Sequence, residues 1–263
     1  MDVVGEGRDL VMLHGWALHG GMWGPWIERL ATHARLHLVD LPGHGRSPWC
    51  EEARDLAGLA RTVAEVVPEG AVVLGWSLGG MIALELARRE PDRIAALVLM
   101  ATTPRFLAGP DWDHGLRASV LGWFAQGLAA DFGRTVQDFL VLQVRGDERA
   151  HETLRSMRRQ LGDHGPPQPH ALETGLEVLG KADLRDALPG LALPALVISG
   201  QNDRLTPAAA GRELAAALPL ARYRVIDRAG HAPFLSHPEP VLREITGFLA
   251  RLPAARRLEG TSR

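Results

Sequence analysis

Three residues of this 263-residue chain carry the types and order needed for covalent acyl transfer. Ser77 lies in "VVLGWSLGGM" (72–81), between Gly75 and Gly79 and directly after an apolar run. A serine in a Gly-x-Ser-x-Gly turn between a strand and a helix is a nucleophile elbow. The sharp turn lifts the hydroxyl clear of the sheet, and the glycines let strand and helix close on each other. A serine hydroxyl is a poor nucleophile near neutral pH, so it needs a base that is itself oriented by a carboxylate. With a strand-turn-helix serine the order is serine, then acid, then histidine. Asp203 in "LVISGQNDRLTP" and His231 in "VIDRAGHAPFLSHP" stand in that order, each just beyond an apolar run.

Other residues compete for these roles. Asp227 lies four residues before His231 and reads as a turn residue, and His237 precedes Pro238 and reads as a helix start. The developing oxyanion needs two amides, one from the residue after the serine and one from an early strand–helix loop. Leu78 supplies the first, and Trp16 in "LHGWALHGGMW" (13–23) is the candidate for the second. His14 reads as a structural hydrogen-bonding group in that loop. Asp40 and His44 in "DLPGHGRS" read as scaffold beside it.

These residues need a sheet to hold them. Apolar runs at 9–15, 34–43, 71–77, 94–102, 194–203 and 221–230 read as strands buried on both faces of a parallel sheet. Helical patterns around 53–66, 78–90, 207–217 and 237–251 alternate with them. The alternation stops between 104 and 182, where helices near 114–130, 132–144, 147–161 and 170–180 surround the breaker "GDHGPPQPH". We therefore expect an α/β core of residues 1–103 and 183–263. Residues 104–182 are expected to form a helical lid over the sheet's C-terminal edge. The tail "AARRLEGTSR" (254–263) is polar and expected to fray.

Composition narrows the function classes. A net charge of −2 gives no overall basic footprint for nucleic acid. Cys50 is the only cysteine, which excludes an internal disulfide and a multi-cysteine zinc site. No apolar run reaches membrane-span length, and "MDVVGEGRDLVML" lacks a signal-peptide pattern, so no membrane association and a cytoplasmic location are expected.

The motifs "HGW", "DLPGHGRS", "GWSLGG", "GQNDRLTP" and "GHAPFLSHP" occur in the order found in the α/β-hydrolase family, which the chain resembles over essentially its whole length. Serine at the elbow argues against the dehalogenases and epoxide hydrolases of this fold, which use aspartate there. Within the family the chain is similar to the carboxylesterases that cleave the methyl ester of pimeloyl-acyl-carrier protein in biotin synthesis. "MLHGW", "LHLVDLPGHGRS", "LGWSLGG" and "HAPFLSHP" carry this likeness, and "RTVQDFLVLQ" and "GLEVL" extend it into the expected lid.

That resemblance implies a catalytic triad of Ser77, Asp203 and His231. It implies substrate contacts from Trp16, Ser77, Leu78, Phe139, Leu140, Val141, Leu142, Gln143 and His231, with neither metal nor organic cofactor. It also implies an acidic acyl carrier protein as partner, met by lid arginines of which Arg134 and Arg155 are the main candidates. Asp138 and His151 stand where the resemblance implies further arginine. A monomer is expected. A general short-chain esterase, a lactonase, a carbon–carbon bond hydrolase and a non-catalytic binding protein of the same fold remain as alternatives.

Overall fold

The computed structural model describes residues 1–162 and 164–253; the tail discussed above lies outside them. Seven strands form one sheet: β1 (Asp2–Val4), β2 (Asp9–Leu13), β3 (Arg35–Val39), β4 (Ala71–Trp76), β5 (Ile94–Met100), β6 (Ala195–Gly200) and β7 (Ala221–Ile226). Their spatial order is β1-β3-β2-β4-β5-β6-β7. Every pairing is parallel except β1 with β3. Asp2–Val4 thus form a short edge strand of three exposed residues.

The near-continuous apolarity of the central strands has a direct cause. Val11, Leu13, Val73, Leu97 and Leu99 join the core on one face, and Leu10, Met12, Val72, Leu74 and Val98 join it on the other. Alternate side chains of each strand are therefore both buried. At the far edge, β7 alternates between exposed and partly buried positions, as an edge strand with one covered face should.

Ten helices accompany the sheet among the described residues. These are α1 (Trp26–Leu30), α2 (Leu56–Ala64), α3 (Leu78–Arg89), α4 (Ala118–Ala130), α5 (Phe132–Gln143), α6 (Ala150–Leu161), α7 (Pro169–Lys181), α8 (Ala208–Ala217), α9 (Pro233–Ser236) and α10 (Pro238–Leu249). Asp55 caps α2 by accepting from Gly58 N–H at 2.7 Å, and Asp131 caps α5 by accepting from Arg134 N–H at 3.0 Å. Between β5 and β6 the chain leaves the sheet and forms α4 to α7. That segment rejoins the core where Arg105 pairs with Asp183 across an antiparallel bridge. Arg105 and Arg185 tie the same neck together through Asp111 and Asp183.

Because β2, β3, β4, β6 and β7 run parallel, the loops after them open at one edge. Those loops carry Trp16, Asp40, Ser77, Asp203 and His231. This is the edge where open α/β sheets place their ligands.

Candidate active site

Ser77 occupies the single residue between β4 and α3. Its backbone sits at φ 57°, ψ −120°, a left-handed conformation rare for a residue with a side chain. Such strain, of order 1–3 kcal/mol, persists only where surrounding contacts fix it. Here Ser77 N–H donates to Met100 carbonyl at 3.0 Å, and Thr102 Oγ1 donates to Ser77 carbonyl at 2.7 Å. A Cβ on Gly75 would collide with the backbone of Gly79, and one on Gly79 with the carbonyls of Leu13 and His14. The glycines are therefore required by close backbone approach on both sides of the serine. Ser77 is 7% exposed.

Asp203 and His231 come together from loops 28 residues apart in sequence. His231 Nδ1 donates to Asp203 Oδ2 at 2.8 Å, and both side chains are buried. The carboxylate is fully engaged. Its Oδ1 accepts from the N–H groups of Leu205 at 2.8 Å and Thr206 at 3.0 Å, and Thr206 Oγ1 donates to Oδ2 at 2.8 Å. Asp203 thus closes an Asx turn that leaves Oδ2 facing the imidazole. With Nδ1 committed as donor, Nε2 is the acceptor nitrogen; it is buried and makes no hydrogen bond. The Trp76 indole donates to His231 carbonyl at 2.8 Å and fixes the backbone that carries the ring. Asp227 is exposed in the turn after β7. His237 begins α10, its ring bonded to Ser236 and Glu148.

Leu78 is the first residue of α3, so its N–H has no acceptor within the helix. A Cβ on Gly15 would lie 3.3 Å from Ser77 Cβ and 3.8 Å from Ser77 Oγ, which places the loop of Trp16 against the serine. The Trp16 indole donates to Leu172 carbonyl in α7 at 2.9 Å and meets Phe139 of α5 edge-on at 4.7 Å. A Cβ on Gly175 of α7 would collide with Trp16 and lie 3.4 Å from Leu78. The inserted helices therefore rest directly on both loops flanking Ser77.

Of the five α5 residues expected near substrate, Phe139 packs on Trp16, and Gln143 accepts His231 N–H through its carbonyl at 3.0 Å. The Gln143 side-chain amide is buried with neither its oxygen nor its nitrogen bonded. Leu142 packs on the core that contains Trp16, and Leu140 is buried in the core layer containing Phe234. Val141 is 45% exposed. Two residues along a helix is a turn of about 200°, which points it away from the Phe139 face. Arg134 is 78% exposed with a loose pairing to Asp138, and Arg155 is exposed on α6.

The scaffold histidines are neutral. His14 Nδ1 donates to Gly15 carbonyl at 2.8 Å, and its Nε2 accepts from Leu41 N–H at 2.9 Å. Burial, reinforced by the nearby His44 ring at 5.2 Å, pushes His14 down to about 3. Burial likewise pushes His44 down to about 4. Unfolding frees both to take up protons below their ordinary value of 6.5. Their contribution to stability is complete above that pH and falls away as the pH drops through 6.5 toward about 4 for His44 and about 3 for His14. At pH 5 each should cost the fold about 2 kcal/mol. Urea unfolding at pH 7 and pH 5 should show that loss; equal stability at the two pH values would contradict it.

Asp40 opposes burial with backbone hydrogen bonds. Desolvation alone would raise its pKa, but N–H groups of Gly20 at 2.7 Å and Arg46 at 3.2 Å outweigh it and hold the carboxyl below its usual range. Asp40 thereby joins the Trp16 loop to the loop after β3. With His19 and His164 it brings metal-type donor atoms within 4.8 Å of one another. His19, however, commits both ring nitrogens to the backbone: Nδ1 accepts from Gly21 N–H and Nε2 donates to Gln160 carbonyl, each at 3.1 Å. His164 stacks on it at 4.3 Å. The group is a joint between the Trp16 loop and the end of α6, with no His19 lone pair free for an ion.

A family model for the alpha/beta hydrolase fold matches residues 10–238. The chain belongs to the α/β-hydrolase family. Curated relatives of this α/β hydrolase cover nearly all of it. The pimeloyl-[acyl-carrier protein] methyl ester esterase of Xanthomonas campestris pv. campestris is 46% identical over 253 residues, 96% of this chain and 99% of that one. The protein of the same name from Aeromonas hydrophila is 43% identical, covering 93% of this chain and 96% of its own. Among solved structures, an esterase from Exiguobacterium antarcticum superposes with a TM-score of 0.87 at 22% identity, covering 95% of this chain and 94% of that one, a likeness of fold. No helix among the described residues of this α/β hydrolase is long and apolar enough to cross a membrane.

Two residues of the site carried no motif signal. Thr206 and Trp76 hold Asp203 and the His231 backbone through the hydrogen bonds given above. Only Thr206 had a local clue, its position three residues after Asp203 in "NDRLTP".

Proposed function

We propose that this chain is a serine carboxylesterase that hydrolyses the methyl ester of pimeloyl-[acyl-carrier protein], releasing methanol, in biotin biosynthesis. The observation that carries the reading is identity of 43–46% with esterases of that name over almost the whole chain. The strained Ser77 elbow and the His231–Asp203 pair, carried on loops at the same edge of the sheet, support the same chemistry. In this reading His231 Nε2 takes the proton of Ser77 as Oγ attacks the ester carbonyl. The amides of Trp16 and Leu78 hold the tetrahedral oxyanion. The carbon–methoxy bond breaks, and methanol leaves with the proton from His231. Water, deprotonated by the same imidazole, then attacks the acyl-serine; the carbon–Oγ bond breaks, His231 returns the proton to Ser77 Oγ, and the carboxylate is freed.

Helices α4 to α7 act as the lid. Their packing on Trp16 and Leu78 would seat the acyl chain beside Phe139, with the unbonded Gln143 amide available to a polar group of the substrate. Arg134 and Arg155 present exposed charge to an acidic carrier protein and its phosphate-bearing arm. Restoring growth of a biotin auxotroph that lacks this step tests the reading, and failure of an expressed, soluble protein to do so would remove the physiological assignment. Reversing both arginines to glutamate should raise KM for the carrier-linked ester by about tenfold, a change of about 1.4 kcal/mol. Dimethyl pimelate turnover should stay unchanged. An equal effect on both substrates would contradict the docking role.

A further inference from the structure

The loop that carries His231 is held less by itself than by the inserted helices. Its two consecutive amides both donate into the end of α5 and the connector that follows. Gly230 N–H donates to Asp147 Oδ2 at 2.7 Å, and His231 N–H donates to Gln143 carbonyl at 3.0 Å. Asp147 is 7% exposed, and its other oxygen accepts from Arg149 N–H at 2.7 Å. A Cβ on Gly230 would lie 3.1 Å from Asp147 Cβ, so the two backbones meet closely. The same connector reaches the acid. Asn202, next to Asp203, donates from Nδ2 to Gly146 carbonyl at 2.9 Å.

We propose that Asp147 is a positioning residue for His231: its carboxylate fixes the Gly230–His231 backbone, and so couples the seating of the α5–α6 connector to the reach of the imidazole. A buried carboxylate bonded to a backbone N–H makes a hydrogen bond about twice as strong as a neutral one. The ring itself is anchored on one side, at Nδ1, while Nε2 is unbonded. The backbone therefore sets where Nε2 lies relative to Ser77. A shift of about 1 Å in a catalytic group costs on the order of a hundredfold in rate. The proposal rests on His231 as the base, and not on which ester is the natural substrate.

The test is steady-state kinetics on p-nitrophenyl acetate with the full chain. Asp147→Ala should lower kcat by about 10- to 100-fold with KM within about twofold of wild type. Glu148→Gln, which removes the carboxylate that pairs with Arg228 and hydrogen-bonds the His237 ring from the same connector, should leave kcat unchanged. Asp147→Asn retains one acceptor oxygen for two N–H groups, and should fall between wild type and Asp147→Ala. The low-field proton signal of the His231–Asp203 hydrogen bond should shift or broaden in Asp147→Ala and hold in Glu148→Gln. Wild-type kcat in folded Asp147→Ala, or an equal loss in Glu148→Gln, would overturn the proposal. Should Asp147→Ala not fold, Asp147→Asn decides: a loss of kcat at constant KM supports the role, and wild-type kcat ends it. His231→Ala, run in parallel, separates the two readings, since activity there would mean that the base itself is elsewhere.

Discussion

Ser77→Ala should lower kcat on a small ester by about 10⁵- to 10⁶-fold, and a fluorophosphonate probe that labels the wild-type protein should no longer attach. The size of the effect follows from the way the elbow is built. Ser77 is the one residue held in strained backbone between β4 and α3. Its amide and carbonyl are both pinned by the β5 edge through Met100 and Thr102. The nearest hydroxyl the elbow shows, that of Thr102, is committed to the Ser77 carbonyl. The residual rate over water would come from the oxyanion amides and binding alone. The fold should be unaffected, since removing Oγ leaves every backbone bond of the elbow in place. Labelling or near-normal turnover in Ser77→Ala would place the nucleophile elsewhere. Absence of labelling in the folded wild type would favour a non-catalytic binding protein.

Asp203→Asn should reduce kcat by about 10⁴-fold with little change in KM. The amide has one oxygen, and the site has two backbone donors that compete for it. The N–H groups of Leu205 and Thr206 both aim at the Oδ1 position, so the asparagine oxygen is held there. The amide NH₂ then faces His231 Nδ1 and donates to it. That forces the proton onto Nε2, and the imidazole loses the lone pair needed to accept from Ser77. Thr206 Oγ1 also loses its acceptor. Steady-state kinetics with a thermal melt checks this: a native-like melt with the lost kcat is the expected pair. Wild-type kcat would mean that Asp203 does not orient the base.

The sequence made the candidate catalytic residues legible because their order and local patterns are unusual. Gly-x-Ser-x-Gly after a buried strand, and an aspartate and histidine each beyond a strand, leave few other arrangements. Strand positions were readable where side chains are buried on both faces, as in β4. Where only one face is covered, as in β7, the pattern alternates, although the strand was still placed correctly. Helix α1 escaped notice because five residues are too short to show periodicity. Helix α6 begins at Ala150 rather than near 147 because Asp147 turns its carboxylate toward Gly230, 83 residues away. That is a tertiary contact no local pattern announces. Helix α4 begins at 118 rather than 114 because the preceding residues form bridges between Leu107 and Leu116 and between Gly109 and Trp112. The α5 motif read as one continuous run, and the helix sets Val141 and Phe139, two residues apart, on different faces.

In the proposed reaction a methyl ester on a carrier-linked pimeloyl chain is cleaved at Ser77. Methanol release from purified pimeloyl-carrier-protein methyl ester, measured beside free dimethyl pimelate, tests it most directly. Ser77-dependent release is expected, with kcat/KM at least about tenfold higher for the carrier-linked ester, the counterpart of the arginine contacts. No release from the carrier-linked ester by a protein that still cleaves simple esters would contradict it.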